Sequence, residues 1–163
     1  MKIEFEFTDL DNRSAELIPE FCSLLVKEIS SSIISNSYGK VGFKYLEKFL
    51  LNSNLIEWKK NKPDNIDVHS IIIQIAGSIV CRNIKENKYV IEINKRSKLP
   101  GSKTSLSKIA RFIDRGDIMS SGYPTNLVNY VFMKYKQNIN EYWKSFVQVK
   151  LKRLNVSSII IVK

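Results

Sequence analysis

The sequence predicts an α+β fold, in which a small, mainly antiparallel sheet is covered on one face by long helices. Two periodicities support this prediction. Residues 2–7 and 79–94 alternate apolar and polar side chains as strands do, whereas residues 14–35, 106–113 and 139–154 repeat apolar side chains at helical spacing. No internal repeat is present. We expect a single domain over residues 1–163, with a core of about residues 14–154, an added N-terminal strand and a C-terminal strand or tail.

The N-terminal region predicts one strand and one helix. The strand, KIEFEF, places three large apolar side chains on one face, Ile3, Phe5 and Phe7. The helix covers residues 14–35. Ser14 is a candidate N-terminal cap, and Pro19 also permits a start at Ile18, because proline suits the first turn of a helix.

The next segment contains a second helical pattern and a polar loop. Residues 41–51 either extend the first helix through a kink near Gly39 or pack back on it. Residues 52–67 predict a surface loop with a short amphipathic turn around three residues, Leu55, Ile56 and Trp58.

From His69 onward β-branched residues predominate, which favours strands. We expect a first strand over residues 71–76. A hairpin follows, with strands at residues 79–85 and 89–94 and the turn ENK between them. Residues 95–103, KRSKLPGSK, then form a basic loop.

Residues 103–135 predict a helix, a polar loop and a second helix. The first helix carries an apolar stripe formed by Leu106, Ile109, Ala110 and Ile113. Thr104 or Ser105 caps its start, and Arg115-Gly116 ends it. The second helix presents Leu127, Val128, Val131 and Tyr135 on one side. This arrangement is typical of a docking element, and we expect inter-subunit or docking contacts from Asp114, Gly116, Asp117, Gly122, Tyr123 and Pro124.

The C-terminal region predicts a helix and a last strand. Residues 139–154 fit a helix through Ile139, Trp143 and Phe146, although the alternation VQVKLK from Val147 also fits a strand; we favour the helix. Residues 157–162, SSIIIV, predict the final strand.

Charge is unevenly distributed along the chain. The formal net charge is +10, with −3 in residues 1–40 and +13 in residues 41–163. A basic body suggests an acidic partner, either nucleic acid or an acidic protein surface. The simpler alternative is a solvated lysine-rich surface. The 20 Lys, 14 Asn and 22 Ile residues all have A/T-rich codons, so an A/T-rich genome supplies many lysines without selection for binding.

A local cluster of cations is the best candidate for contact with DNA or an acidic partner. Its members are Lys95, Arg96, Lys98, Lys103, Lys108 and Arg111. Such a cluster contacts phosphates without reading bases. Few aromatic residues lie among these cations, which argues against a stacking platform for single strands. A second basic group near the C-terminus consists of Lys150, Lys152 and Arg153.

The sequence shows no clear catalytic constellation, and we expect no enzyme activity, no cofactor and no metal. His69 is the single histidine. Asp114 and Asp117 are candidates for paired acids or metal ligands, but a helix end with local ion pairs explains them more simply. The segment LPGSKTS, residues 99–105, precedes a helix and could bind an anion, yet it lacks the spacing of a phosphate-binding loop.

Cysteine usage and hydropathy favour a soluble protein made inside the cell. Cys22 and Cys81 lack metal-site spacing and predict two small buried residues in a reducing compartment. No signal peptide is visible, and the apolar run over residues 71–81 is too short to span a bilayer, so we expect no membrane contact.

The order of elements resembles the small neck proteins of tailed bacteriophages, the head–tail connector or tail-completion family. These proteins begin with a long amphipathic helix and continue into a β-hairpin, a short helix with an acidic residue and glycine, a proline-containing loop and a C-terminal helix. The matching residues are the segment IARFIDRG at 109–116, then Tyr123-Pro124, then Leu127 and the helix after it. The resemblance covers about residues 14–154. The strand at 2–7, residues 52–67 and the tail at 157–163 depart from it.

This resemblance implies a structural role in the virion, after synthesis in the host cytoplasm. Copies would form a homo-oligomeric ring, of six or twelve subunits, between the portal and the tail, in contact with other neck, portal or tail proteins. The basic loop would hold DNA by charge alone. The acidic N-terminal segment of one copy would meet the basic body of the next, a contact that closes into a ring when the rotation fits. The alternative is a non-catalytic basic protein that binds nucleic acid.

Overall fold

The computed structural model describes residues 1–38, 50–51, 54–64, 66–114 and 126–163. These residues form four strands and five helices. In chain order they are β1 (Lys2–Thr8), α1 (Asn12–Ala15), α2 (Ile18–Tyr38), α3 (Val68–Ala76), β2 (Ile79–Lys85), β3 (Lys88–Ile93), α4 (Leu106–Asp114), α5 (Val128–Leu151) and β4 (Ile159–Val162). The predicted α+β class is confirmed.

The four strands form one antiparallel sheet in the order β2-β3-β1-β4. Strand β1 therefore lies inside the sheet, where Ile3 is opposite Ile91 of β3 and Phe7 is opposite Ile160 of β4. Both terminal strands thus contribute to the same sheet and to the same apolar core.

Helices α2 and α5 cover one face of the sheet. The rings of Phe7 and Trp143 are 4.7 Å apart at their centroids, and those of Phe21 and Trp143 are 5.1 Å apart. The indole Nε1 of Trp143 donates to Ser158 Oγ at 3.1 Å, so this fully buried side chain leaves no unpaired donor. The opposite face of the sheet carries three ion pairs, Lys2–Glu4, Lys163–Glu6 and Arg82–Glu92.

The strand predicted at residues 71–76 is wrong, because these residues belong to helix α3. Asp67 caps the helix by accepting a hydrogen bond from the backbone N–H of Ser70 at 2.7 Å. One side of the helix is buried through Val68, Ile71, Ile72, Ile75 and Ala76. That spacing is helical, and burial of this face outweighs the β propensity of the isoleucines. His69 accordingly lies in the first turn of a helix, not at the end of a strand.

The remaining predictions around the helices are largely confirmed. Helix α2 begins at Ile18, which agrees with the start that Pro19 permits. Ser14 is not the cap; it lies in α1 and donates its own N–H to Asp11 Oδ1 at 2.7 Å. The helix predicted at residues 41–51 lies outside the described residues except for Leu50 and Leu51, which are buried.

The hairpin and the C-terminal elements follow the sequence pattern. Strands β2 and β3 pair around a turn in which Asn87 has a φ of 61°. The helical alternative is confirmed for residues 139–151. The two separate helices predicted after Pro124 and over residues 139–154 are wrong in one respect, because they form a single helix, α5, from Val128 to Leu151. Helix α5 ends where Lys152 adopts the left-handed conformation, and β4 forms the predicted last strand.

Candidate polyanion-binding surface

The predicted basic cluster lies on the loop after β3 and on α4, where Arg111 is in the last turn. All six of its side chains are exposed. The structure adds a second loop, residues 54–64, with three more exposed lysines. We call the combined set the basic surface; it consists of Lys59, Lys60, Lys62, Lys95, Arg96, Lys98, Lys103, Lys108 and Arg111.

Backbone hydrogen bonds join the two loops. The N–H of Lys59 donates to the carbonyl of Gly101 at 3.0 Å, and the N–H of Lys103 donates to the carbonyl of Glu57 at 2.8 Å. Two buried hydroxyls reinforce the junction. Ser102 Oγ donates to the carbonyl of Glu57 at 2.9 Å, and Thr104 Oγ1 accepts from the N–H of Glu57 at 2.7 Å. The lysines of both loops are therefore held on one joined backbone unit.

A cap on α4 fixes the junction between the basic loop and the helix. Ser105 Oγ accepts from the N–H of Lys108 at 3.2 Å, so Ser105 rather than Thr104 is the cap. The loop itself begins with a turn in which Asn94 Oδ1 accepts from the N–H of Arg96 at 3.0 Å.

Two clefts flank the start of α4. One, of about 380 Å³, brings Lys95 and Arg111 together with Lys2 and the buried carboxylate of Glu92. Glu92 is neutralised by Arg82, whose Nη2 lies 2.6 Å from Oε1 of the glutamate. The other cleft, of about 640 Å³, brings Lys103 and Lys108 together. Two pairs of predicted contact residues are thus adjacent in space.

The basic surface holds most of the net charge of the protein. Residues 54–64 and 95–111 contain nine cations and two acids, a net of +7 out of +10. Among the described residues, Lys103 alone of the nine forms an ion pair, with its Nζ 3.6 Å from Oε1 of Glu57. Both side chains of that pair are exposed, so the pair contributes little stability. The surface can therefore accept several phosphates or carboxylates from a partner.

The second predicted basic group is used differently. Lys150 Nζ lies 2.6 Å from Glu20 Oε1, and Arg153 Nη1 lies 2.6 Å from Asp11 Oδ2. These cations neutralise acids of the same chain. Of this group, Lys152 keeps an exposed side chain for which the structure shows no ion pair with a described residue.

Asp114 joins helix α4 to helix α5. Its carboxylate accepts three backbone hydrogen bonds, from the N–H groups of Leu127, Val128 and Asn129 at 2.8–3.0 Å. Burial raises the pKa of Asp114 above its ordinary value, while these three donors act in the opposite direction. The side chain thus caps the start of α5. The other predicted docking residues lie outside the described residues; they are Gly116, Asp117, Gly122, Tyr123 and Pro124.

The two parts of the basic surface, residues 95–111 and residues 54–64, differ in how readily the sequence predicts them. The six cations after β3 form a local run, which the sequence shows directly. Lys59, Lys60 and Lys62 are also a local run, but their position beside Gly101 depends on hydrogen bonds between distant backbone groups. No side-chain pattern encodes that pairing.

The described residues contain no group of three or more His, Cys, Asp and Glu side chains that could hold a metal ion. Within the same residues, no helix has both the length and the apolar character needed to cross a bilayer. Comparison of the chain with protein-family models, curated proteins and solved structures finds no match.

Proposed function

We propose that this chain is a structural, non-catalytic subunit of the neck of a tailed bacteriophage. In this role it acts as a head–tail connector or tail-completion protein of the virion. Copies form a ring between the portal and the tail, and the basic surface contacts the packaged DNA without reading its sequence.

The order of elements is the observation that carries this proposal. A long helix, α2, precedes the hairpin β2–β3, with the additional helix α3 between them; the short helix α4 follows and ends on an acidic residue, and the long helix α5 comes next. This is the order on which the resemblance to the neck proteins rests. Asp114, the acidic residue at the end of α4, gives that position a physical purpose because it caps α5.

Charge also suits a head-to-tail ring contact. Four of the N-terminal acids form ion pairs within the chain; they are Glu4, Glu6, Asp11 and Glu20. Asp9, Glu16 and Glu28 are exposed and form no ion pair with another described residue. They are the acids that remain available to meet the basic surface of a neighbouring copy.

Quantitative mass spectrometry of purified phage particles tests the proposal. A neck subunit is present at a fixed number of copies, about six or twelve per particle, as expected for a closed ring. Electron microscopy of the same particles then locates the ring. If the protein is abundant in infected cells but absent from particles, the virion role is refuted.

The basic surface also favours a second candidate, a protein that binds nucleic acid outside the virion. In that case the isolated chain binds duplex DNA with an affinity that falls steeply with salt. Fluorescence anisotropy with a random-sequence duplex, measured at several salt concentrations, gives the slope. Tight binding by a protein that particles lack favours this candidate over the neck role.

A further inference from the structure

Two free cysteines from distant parts of the sequence meet beneath helix α2. Cys22 lies on α2 and is buried, whereas Cys81 lies on β2 and is half-buried. Cys81 is opposite Ile91, which is opposite Ile3, so its side chain lies on the sheet face that the helices cover. Helix α2 packs against β2 at this place.

Both thiols line one cleft. The cleft has a volume of about 440 Å³, and its wall includes Ile18, Pro19 and Tyr89 in addition to the two cysteines. A small molecule can therefore approach Cys81 from solvent, while Cys22, which is part of α2, is more deeply buried.

The pKa values of the two thiols shift in opposite directions. Side-chain interaction with Cys22 lowers the pKa of Cys81. Interaction with Cys81, with burial as the second cause, raises the pKa of Cys22. Cys81 is also the less buried of the two thiols, so we expect it to ionise and react first.

We propose that Cys22 and Cys81 form a modification site, at which exchange with a low-molecular-weight disulfide produces an intramolecular disulfide between α2 and β2. The Cys81 thiolate attacks one sulfur of the small disulfide, forms a mixed disulfide and releases one small thiolate. That thiolate takes the proton from Cys22. The Cys22 thiolate then attacks Sγ of Cys81 and expels the second small thiolate, which takes up from solvent the proton that Cys81 released when it ionised.

Two protein thiols are thereby oxidised, and one small disulfide is reduced to two small thiols. The new bond ties residues that are 59 positions apart in the sequence, so it restricts the unfolded chain more than the folded one. The chemistry needs no partner protein and does not depend on the neck function.

Intact-mass measurement of the full chain after incubation with oxidised glutathione tests the proposal. The expected product is monomeric, carries no glutathione and is lighter than the reduced chain by two hydrogen atoms. Peptide mapping without reductant should recover Cys22 joined to Cys81. Thermal unfolding of the oxidised chain should show a Tm raised by about 5–10 °C, and a reductant should reverse the shift.

Single substitutions separate the role of Cys81, which attacks the small disulfide, from that of Cys22, which resolves the mixed disulfide. Cys22→Ala should retain one glutathione on Cys81, because no second sulfur displaces it, whereas Cys81→Ala should react slowly through its buried Cys22. Stable glutathione adducts on the wild-type chain, or disulfide-linked dimers, would overturn the proposal. The wild-type measurement requires no substitution, so it decides the question even if one variant folds poorly.

Discussion

Arg153 donates from Nη1 to Oδ2 of Asp11 at 2.6 Å, across 142 positions of the sequence. The other oxygen of the same carboxylate accepts from the N–H of Ser14, so Asp11 caps α1 and holds the end of α5 at once. The charge asymmetry between the two ends of the sequence is thus partly cancelled inside the fold. Most of the remaining net positive charge lies on the basic surface.

The ion pair between Asp11 and Arg153 predicts a pH dependence of stability. The Ser14 N–H and the Arg153 guanidinium lower the pKa of Asp11 from 3.8 to about 2. A carboxyl whose pKa is lower in the folded state stabilises the fold above its unfolded pKa, and this contribution disappears as the pH falls through the folded pKa. The contribution of Asp11 is therefore present at neutral pH and lost between about pH 4 and pH 2.

The Asp11→Asn variant checks this dependence. Its Tm should lie below that of the wild type at pH 7, because the ion pair is lost while asparagine still serves as a cap. The difference should shrink as the pH approaches about 2. Asp64→Asn, at an exposed loop position, is the control and should differ little from the wild type at either pH. A constant difference across the range would show that the ion pair does not cause it.

We expect substitution of Asp114 to lower stability more than substitution of an ordinary surface carboxylate does. Asp114→Ala leaves three backbone N–H groups at the start of α5 without their acceptor, at a cost of about 1–3 kcal/mol in the free energy of unfolding. Asp114→Asn keeps one acceptor oxygen and should lose less. Urea unfolding followed by circular dichroism measures both. Equal stability of all three proteins would contradict the capping role.

Local periodicity predicted most elements correctly, because burial of one face leaves a readable pattern. Strand β1, the hairpin and α4 are examples. Helix α3 shows where this fails. Its sequence VHSIIIQIA satisfies helical spacing, but its β-branched residues also favour a strand, and only the cap by Asp67 and the burial against neighbouring helices decide between them.

The local periodicity of the sequence does not predict which distant segments contact each other. The position of β1 between β3 and β4 depends on backbone pairing that many strands could form. The same holds for the junction of Glu57 with Thr104, which extends the basic surface by a second loop. The cations of residues 95–111 could therefore be predicted from the sequence as one cluster, whereas the contribution of residues 54–64 to the basic surface could not.

Among the aromatic residues of the core, we expect Trp143 to be the one whose substitution lowers stability most. Trp143→Phe removes buried ring atoms beside Phe7 and Phe21 and leaves the Ser158 hydroxyl without its partner. The expected loss is about 1–3 kcal/mol in the free energy of unfolding. Trp58→Phe is the matched control, because Trp58 is only partly buried and its loss should be smaller. Urea unfolding of the two variants checks the order.

If the basic surface binds DNA as proposed, charge reversal of the basic loop should weaken that binding specifically. Changing Lys95, Arg96 and Lys98 to Glu removes three exposed cations for which the structure shows no ion pair with a described residue. If each contacts one phosphate, the slope of log K against log salt should become shallower by about 3, and affinity at low salt should fall at least about tenfold. Fold and Tm should change little, because none of the three is buried.

A second triple reversal separates local contact from overall charge. Lys27, Lys134 and Lys144 lie on α2 and α5, outside the basic surface, and their reversal changes the net charge by the same amount. If DNA is held at the basic loop, this control should keep most of the salt slope, whereas general attraction would weaken equally in both variants. In phage particles, the loop variant should fail to retain DNA or to complete the neck while the control assembles. Normal maturation of both would exclude a role for the loop in holding DNA.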